Sequence, residues 1–302
     1  MANLKEIRTR ISSVASTRQI TSAMKMVSAA KLKKAQDTVT HFRPYIQKMD
    51  EIMEHVVSTV GNDQNNVYAE DRDYKKVLIV VVTSNRGLCG AFNSNVIKEA
   101  MQLAEQKYGR FVPQDKIRFL NIGKKGYETM RKRKAGIDKA PPNIDIVDDL
   151  TYEKAAEVAE ALMKDFVERR YDCIDIVYNE FVNAATQKVV CKQFLPMLNE
   201  NKIKADKNKK QDAATQTNFL FEPTREYILR ELIPQDLRLS FYGVMLDSKA
   251  SEFGARMTSM HQATDNATTL IQELTLQYNK ARQASITNEI LEIVGGAEAL
   301  KG

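Results

Sequence analysis

The chain lacks tryptophan and carries only three cysteines and three histidines among its 302 residues. The cysteines are odd in number and no two share a CxxC spacing, so the sequence indicates neither a disulfide framework nor a zinc site. The histidines are equally scattered, and we expect no metal centre. The residues concerned are Cys89, Cys173, Cys191, His41, His55 and His261.

Long apolar runs are also missing. The longest run, Val77 to Val82 (VLIVVV), has the length of a buried strand, whereas a membrane-spanning helix needs about 20 apolar residues. The N-terminal sequence MANLKEIRTRI contains no apolar region of the kind that secretory signals have. These absences predict a protein without a membrane span, located in the cytoplasm or in an organelle matrix.

Glycine and proline are absent from one long stretch at each end of the chain, from Met1 to Arg43 and between Gly254 and Gly295. In both stretches, positions at alternating spacings of three and four are occupied mainly by apolar or small residues, which is typical of a coiled coil, although the middle of the first series is polar or small. The first series is Ile7, Ile11, Val14, Arg18, Thr21, Lys25, Ser28, Leu32, Ala35, Val39 and Phe42. The second series is Met260, Ala263, Ala267, Leu270, Leu274, Gln277, Ala281, Ala284, Asn288 and Leu291.

The C-terminal pattern can be extended back toward Arg225, with Pro234 tolerated in its first turns. A helix over this segment would be on the order of 100 Å long at 1.5 Å per residue, so it would need a partner along its length. The other end of the chain is the obvious partner. We therefore predict that residues 1–60 and residues 210–302 form an antiparallel coiled coil.

The middle of the chain, residues 61–209, predicts a Rossmann-like α/β domain inserted between the two helices. Because strand patterns alternate with helical patterns, the sheet is expected to be mostly parallel and covered on both faces. The polar segment Asn199–Thr217 is expected to be a mobile loop. The predicted strands are Val77–Thr83, Lys116–Ile122, Cys173–Val182 and an edge strand at Gln187–Leu195, and the predicted helices are Asn95–Tyr108, Lys124–Lys134 and Tyr152–Arg170.

The segment Thr83–Asn95 (TSNRGLCGAFNSN) follows the first strand, where open α/β sheets usually bind ligands. Its glycines match neither GxGxxG nor GxxxxGK[ST], so a phosphate cradle, a tight turn and a protein-binding surface all remain open. No set of residues suggests catalysis. The aspartates of the DIVDDL stretch, Asp145, Asp148 and Asp149, are interpreted as a solvated connection.

The net charge of +6 is concentrated near the N-terminus, where residues 1–36 hold eight Lys and Arg residues against one acid, Glu6. A basic helix of this kind indicates nucleic acid, an anionic membrane surface or an acidic protein partner, or it is a solvated face. Near the other end, Leu276–Ile290 (LQYNKARQASITNEI) carries many polar side chains. That segment is either a solvated face of the coiled coil or a surface that holds the loops of a partner.

Three stretches resemble the γ subunits of F-type ATP synthases of the bacterial type. They are LKEIRTRISSVASTRQITSAMKMVSAAKLKKAQ, TSNRGLCGAFN and ATDNATTLIQELTLQYNKARQASITNEILEIVGGAEAL, and the resemblance extends over essentially the whole chain. It implies a non-catalytic rotary shaft that couples proton flow through the ring of c subunits to ATP synthesis at the β subunits. The implied partners are a hexamer of alternating α and β subunits, the ε subunit and the c-ring, with neither cofactor nor nucleic acid. The implied location is peripheral, at the cytoplasmic face of the bacterial inner membrane.

The resemblance also implies roles for individual residues. Arg282, Gln283 and Thr287 would contact the catch loop of a β subunit. A bearing beside the β lever would contain Met24, Lys25 and Arg256, and Glu222 would belong to a foot that faces the c-ring or ε. Two alternatives are a basic coiled-coil protein that binds nucleic acid and a nucleotide-binding α/β enzyme that uses the Thr83–Asn95 loop.

Overall fold

The computed structural model describes residues 4–60, 67–70, 72–133, 135–138, 143–197 and 225–299. Both terminal segments are long helices, and Pro44 and Pro234 lie inside them without ending them. The helices are α1 (Leu4–Val60), α2 (Phe92–Leu103), α3 (Lys124–Lys132), α4 (Asp145–Asp148), α5 (Tyr152–Val167) and α6 (Arg225–Ala299). The strands are β1 (Val77–Val82), β2 (Ile117–Ile122), β3 (Cys173–Phe181) and β4 (Gln187–Leu195).

The chain divides into two compact units. The smaller unit consists of Met1–Ala30 and Arg256–Gly302, and the larger unit is Lys31–Ala255. Each long helix contributes residues to both units. The predicted domain limits, 1–60, 61–209 and 210–302, follow the secondary structure instead, and they stay a prediction.

In the smaller unit α1 and α6 pack side by side. Thr21 contacts Thr264 and Lys25 contacts His261, so the contact positions run in opposite directions along the two helices. The helices are therefore antiparallel, as the sequence predicted. The buried side chains on this seam are Ile7, Thr21, Ser28, Met260, Ala267 and Leu274.

The predicted seam of α6 is wrong at several positions from Leu270 onward. The predicted positions that are exposed are Leu270, Gln277, Ala284, Asn288 and Leu291. For the first three of these, the residue one position further along is half-buried instead, namely Ile271, Tyr278 and Ser285. Small or apolar residues occur in both series, and the face that turns inward is set by contacts with α1 such as Thr264 with Thr21. Arg18, which the spacing placed on the seam of α1, is also exposed.

The larger unit contains a four-stranded sheet in the order β2-β1-β3-β4. The central strand β1 pairs in parallel with β2 and β3, whereas β4 pairs with β3 in the antiparallel sense. The sheet is therefore mostly parallel with β4 at an edge, as predicted. Every residue of β1 is buried, which explains its uninterrupted run of Val, Leu and Ile.

Two apolar cores lie on opposite faces of this sheet, because successive side chains of a strand point to opposite sides. Leu78 and Val80 face a core that includes Phe166 of α5 and Phe241 of α6. Ile79 faces the other core, which includes side chains of α2 and α3.

Two predicted segments differ in the structure. The helix expected over Asn95–Tyr108 begins at Phe92, and its last residues, Ala104–Tyr108, form a π-helical turn. The aspartates of the DIVDDL stretch are exposed, but the segment is the short helix α4 because Ile146 is buried in the core. The predicted loop Asn199–Thr217 lies outside the described residues.

Candidate partner-binding surface

The middle of α1 presents large apolar side chains to solvent and small polar ones to α6. Ile20, Met26 and Val27 are 60%, 65% and 56% exposed. Thr21 and Ser28 are buried, and the hydroxyl of Ser28 donates to the carbonyl oxygen of Met24 at 2.7 Å. The seam of a helix normally carries its large apolar residues, so this arrangement is the reverse of the usual one. It leaves apolar surface available to another molecule.

Met24 and Lys25, two of the residues predicted for the bearing, lie on α1 and are half-buried. The Nζ of Lys25 is 3.3 Å from Nδ1 of His261, which also lies 3.4 Å from Oδ2 of Asp265. Arg256 lies little more than one turn of α6 from His261, but it is buried. The structure therefore brings these residues to one part of the smaller unit, with Arg256 turned inward.

The residues predicted to hold a β subunit lie together on α6. Arg282, Gln283 and Thr287 are all exposed, and the hydroxyl of Thr287 donates to the carbonyl oxygen of Gln283 at 2.9 Å. The side chains of Arg282 and Gln283 therefore point outward and can reach a second molecule. Large exposed apolar residues surround them on the same helix, namely Leu276, Ile286, Ile290, Leu291, Ile293 and Val294. Glu222, predicted for the foot, lies outside the described residues.

The loop after β1 satisfies its own hydrogen bonds. The N–H of Ser84 donates to Oδ1 of Asn93 at 2.9 Å, and the hydroxyl of Ser84 donates to the carbonyl oxygen of Arg86 at 2.6 Å. Leu88 and Gly90 both have positive φ, 63° and 57°, which is the geometry of a tight turn. Of the interpretations left open by the sequence, these contacts favour the turn.

The neighbouring helix α3 offers no free site for a phosphate in its first turn. The N–H of Lys124 donates to Oδ1 of Asn85, and the N–H of Lys125 donates to the carbonyl oxygen of Ser84. The N–H of Gly126 donates to Oγ1 of Thr83 at 2.9 Å. Helix N-termini bind anions through N–H groups of this kind, and here they are already used within the fold.

A buried polar cluster, which sequence reasoning missed, joins α2's π-helical end to β3. Asp175 is fully buried, and its Oδ2 accepts hydrogen bonds from Nζ of Lys107 at 2.9 Å and from the hydroxyl of Tyr108 at 2.6 Å. The signal was an acid inside the apolar run CIDIVY. Burial, together with the charge of the nearby Asp175 carboxylate, raises the pKa of the Cys173 thiol to about 12. A thiol with this pKa stays protonated and is a poor nucleophile, so the cluster is structural.

The described residues contain no group of His, Cys, Asp and Glu side chains that could hold a metal ion. Within the same residues, neither long helix is apolar enough over a sufficient length to cross a bilayer.

Comparison with known proteins identifies the family. A family described as ATP synthase matches residues 3–300. The chain is 51% identical over 302 residues to the ATP synthase gamma chain of Flavobacterium psychrophilum and 47% identical over 300 residues to that of Cytophaga hutchinsonii, with at least 99% of each chain covered.

A solved structure is also similar. It is a chain of the central stalk and c-ring of Tetrahymena thermophila mitochondrial ATP synthase, 27% identical, with a TM-score of 0.56 and coverage of 81% of this chain and 99% of that one. The full-length match to the bacterial gamma chains decides the assignment. The chain therefore belongs to the ATP synthase gamma chains, the non-catalytic central-stalk subunits of F-type ATP synthase.

Proposed function

We propose that α1 and α6 of the smaller unit form a bearing that turns inside a hexamer of alternating α and β subunits. In this proposal, proton flow through the c-ring turns the chain, and its asymmetric surface sets the conformation of each β catalytic site in turn. The observation that carries the proposal is the reversed face of α1. Small polar residues such as Thr21 and Ser28 are buried, whereas Ile20, Met26 and Val27 are exposed.

In this proposal the hexamer of α and β subunits is a stationary collar around the rotating helices. A surface that rotates inside such a collar must not interlock with it. Deep knobs-into-holes packing would make one orientation far more stable than the others and would stop rotation. The exposed part of α1 contains small residues such as Ala23 and Ala30, with the pliable side chain of Met26 among them. Methionine adapts to different surroundings at little energetic cost, so the contact energy changes gently with angle.

The exposed cations of α1 fit the same function. Arg8, Arg10 and Arg18 are exposed in the smaller unit, and they would attract acidic loops of the collar over several ångströms. Such attraction also varies gently with angle. The family assignment accounts for the basic helix, so the alternative of a nucleic-acid-binding coiled coil is not retained.

Two sets of residues are proposed to contact β subunits. Arg282, Gln283 and Thr287 are exposed and supply hydrogen-bond donors and acceptors for the catch loop of a β subunit. The second set is the bearing beside the β lever, proposed for Met24, Lys25 and Arg256. In that set Arg256 is 8% exposed, so its main contribution would be to support the other two from inside.

The remaining partners are proposed for the larger unit. The α/β domain would form the foot that meets ε and the c-ring, with Glu222 in the part that faces them. The support is the similarity to a central-stalk chain from a complex with a c-ring. Because the most similar gamma chains described above are bacterial, we infer a peripheral position at the cytoplasmic face of the inner membrane.

Charge substitution on α6 tests the proposal. Arg282→Glu and Gln283→Glu, introduced into the assembled ATP synthase in inverted membrane vesicles, are expected to lower ATP synthesis by about tenfold, because one interfacial charge contact is worth about 1–2 kcal/mol. The α/β domain should keep its fold, since both residues lie outside it.

Arg110→Glu is the control for the charge change, because Arg110 is also exposed and is not among the residues proposed to contact a partner. It should leave ATP synthesis unchanged. Normal assembly and normal synthesis in both α6 variants would show that these residues do not hold a β subunit.

A further inference from the structure

Ser251 joins α6 to the sheet inside the larger unit. It is fully buried, and its hydroxyl donates to the backbone carbonyl oxygen of Asn179 in β3 at 3.1 Å. The side chain of Asn179 is also buried, and its Nδ2 donates to the carbonyl oxygen of Phe92 at 3.3 Å. Phe92 is the first residue of α2. One residue of β3 therefore connects α6 with α2.

Gly254 lets the backbone of α6 approach the turn between β3 and β4. A Cβ at this position would lie 3.1 Å from the carbonyl oxygen of Ala184 and 3.4 Å from its Cα. Glycine inside a helix is about 1 kcal/mol less favourable than alanine, so helix formation does not explain its presence. Residues three apart share a helix face, and Gly254 therefore faces the sheet on the same side as Ser251.

Two further contacts hold this part of α6 from other directions. Lys249 donates from Nζ to the carbonyl oxygen of Asp148 in α4 at 3.4 Å. Ala255 packs with Cys89 and Phe92 in a small apolar cluster. The contacts thus come from the loop after β1, from β3, from the β3–β4 turn and from α4. They meet α6 in the last turns that belong to the larger unit.

We propose that Ser251, Gly254 and Asn179 form a rotational lock, which fixes the angle of α6 about its own axis relative to the α/β domain. Torque that reaches the domain would then pass into α6 without slippage. The inference rests on the proposed function as a rotating stalk. The three residues are positioning residues, since none of them touches a substrate.

Directionality distinguishes these contacts from the rest of the α6 interface. Apolar residues of α6 such as Leu237, Phe241 and Val244 are buried in the core, but apolar packing is non-directional. A buried hydrogen bond and a close backbone approach both depend on angle. A rotation of α6 by one residue, about 100°, would remove Ser251 from Asn179 and would place a side chain against the β3–β4 turn.

The test measures coupling in the assembled ATP synthase. In inverted membrane vesicles, ATP hydrolysis and ATP-driven proton pumping are recorded together for Gly254→Ala, Gly254→Val and Ser251→Ala. We expect pumping per ATP hydrolysed to fall about twofold in Ser251→Ala and about fivefold in Gly254→Val, because each change weakens one directional contact. Gly254→Ala should lie between wild type and Gly254→Val, and Ser251→Cys should restore part of the loss because a thiol is a weak donor of similar size.

Gly243→Ala is the control on the same helix. A Cβ there would meet only the Cδ1 atom of Ile46, the flexible end of a side chain, so the pumping ratio should not change. If the Ser251 and Gly254 variants lower the melting temperature but keep the wild-type ratio, their role is only structural and the lock is overturned. Should Gly254→Val not assemble, the two alanine variants decide the question. A wild-type complex that does not couple hydrolysis to pumping would contradict the proposed function itself, which is a separate outcome.

Discussion

Asp247 of α6 lies among charged groups of three other elements. The pKa of its carboxyl group is raised to about 6, mainly by burial. The positive charges of Arg43 in α1 and Lys192 in β4 act to lower this pKa, whereas the negative charge of Glu180 in β3 acts to raise it. Tyr178 of β3 also faces it, and burial together with the Asp247 charge raises the pKa of that phenol. The folded protein therefore retains the Asp247 proton at pH values where the unfolded chain has released it.

Asp247→Asn is expected to stabilise the protein at neutral pH. With a raised pKa, the contribution of the carboxyl group to stability is fully present below about pH 3.8 and is lost as the pH rises through about 6. At about pH 7.5 the substitution removes a poorly solvated charge, and since the group is partly exposed we expect a gain of about 1 kcal/mol. Urea unfolding at about pH 7.5 and about pH 4.5 measures it, and the gain should be clearly smaller at the lower pH, where only part of the contribution has been lost.

Asp115→Asn is the control for that experiment, because Asp115 is exposed and its substitution should have the same small effect at both pH values. An Asp247→Asn variant that is no more stable than wild type at neutral pH would mean that Arg43 and Lys192 compensate for burial.

At the scale of elements, α1 and α6 pair through a polar seam. Oγ1 of Thr21 lies 2.9 Å from Oγ1 of Thr264, and the next contact along the seam joins Lys25 to His261. Polar groups inside a coiled coil lower its stability but favour one register, because these contacts between the helices form only where the two residues of each pair lie opposite each other.

Replacing both threonines by valine should therefore strengthen the pairing. We expect the Thr21→Val, Thr264→Val double variant to raise the free energy of unfolding by about 1 kcal/mol, since the hydroxyls of buried Thr21 and half-buried Thr264 are both replaced by methyl groups of similar shape. Thr21→Val alone should be close to neutral, because the hydroxyl of Thr264 still has the carbonyl oxygen of Met260 at 2.7 Å. Urea unfolding followed by circular dichroism gives both values.

Thr17→Val is the control, because Thr17 is exposed and its hydroxyl bonds within α1 to the carbonyl oxygen of Ser13. It should not stabilise the protein. A double variant less stable than wild type would show that the hydroxyl pair itself contributes net stability.

The sequence could predict elements because their signals are local. The run Val77–Val82 predicted the central strand, and the spacing of small and apolar residues predicted both long helices. It could not decide between Leu270 and Ile271 for the seam, because that choice depends on which residues of α1 lie opposite. In the sequence, Gly254 only marks the boundary of a stretch without glycine. Its role becomes visible in the structure, where a Cβ at this position would lie 3.1 Å from the carbonyl oxygen of Ala184. Arg282 and Gln283 were predicted from a resemblance, and their exposure is what the structure adds.

At the scale of the whole molecule, the C-terminal part of α6 carries apolar surface that no described residue covers. Ile286, Leu291 and Ile293 are 47%, 63% and 71% exposed. Single exposed apolar residues are ordinary, but a group of them along one helix marks an interaction surface. In the proposed function, the hexamer of α and β subunits covers this surface.

Amide hydrogen exchange compares that surface in the isolated chain and in the assembled ATP synthase. In the isolated chain, residues 286–297 should exchange rapidly, because a helix end without packing partners frays. In the complex we expect exchange of this segment to slow by about tenfold or more, since the collar would bury it. Strand β2 serves as the internal control, because it is already mostly buried within the larger unit and should exchange equally slowly in both samples. Equally fast exchange of residues 286–297 in both samples would mean that the end of α6 is not enclosed by the collar.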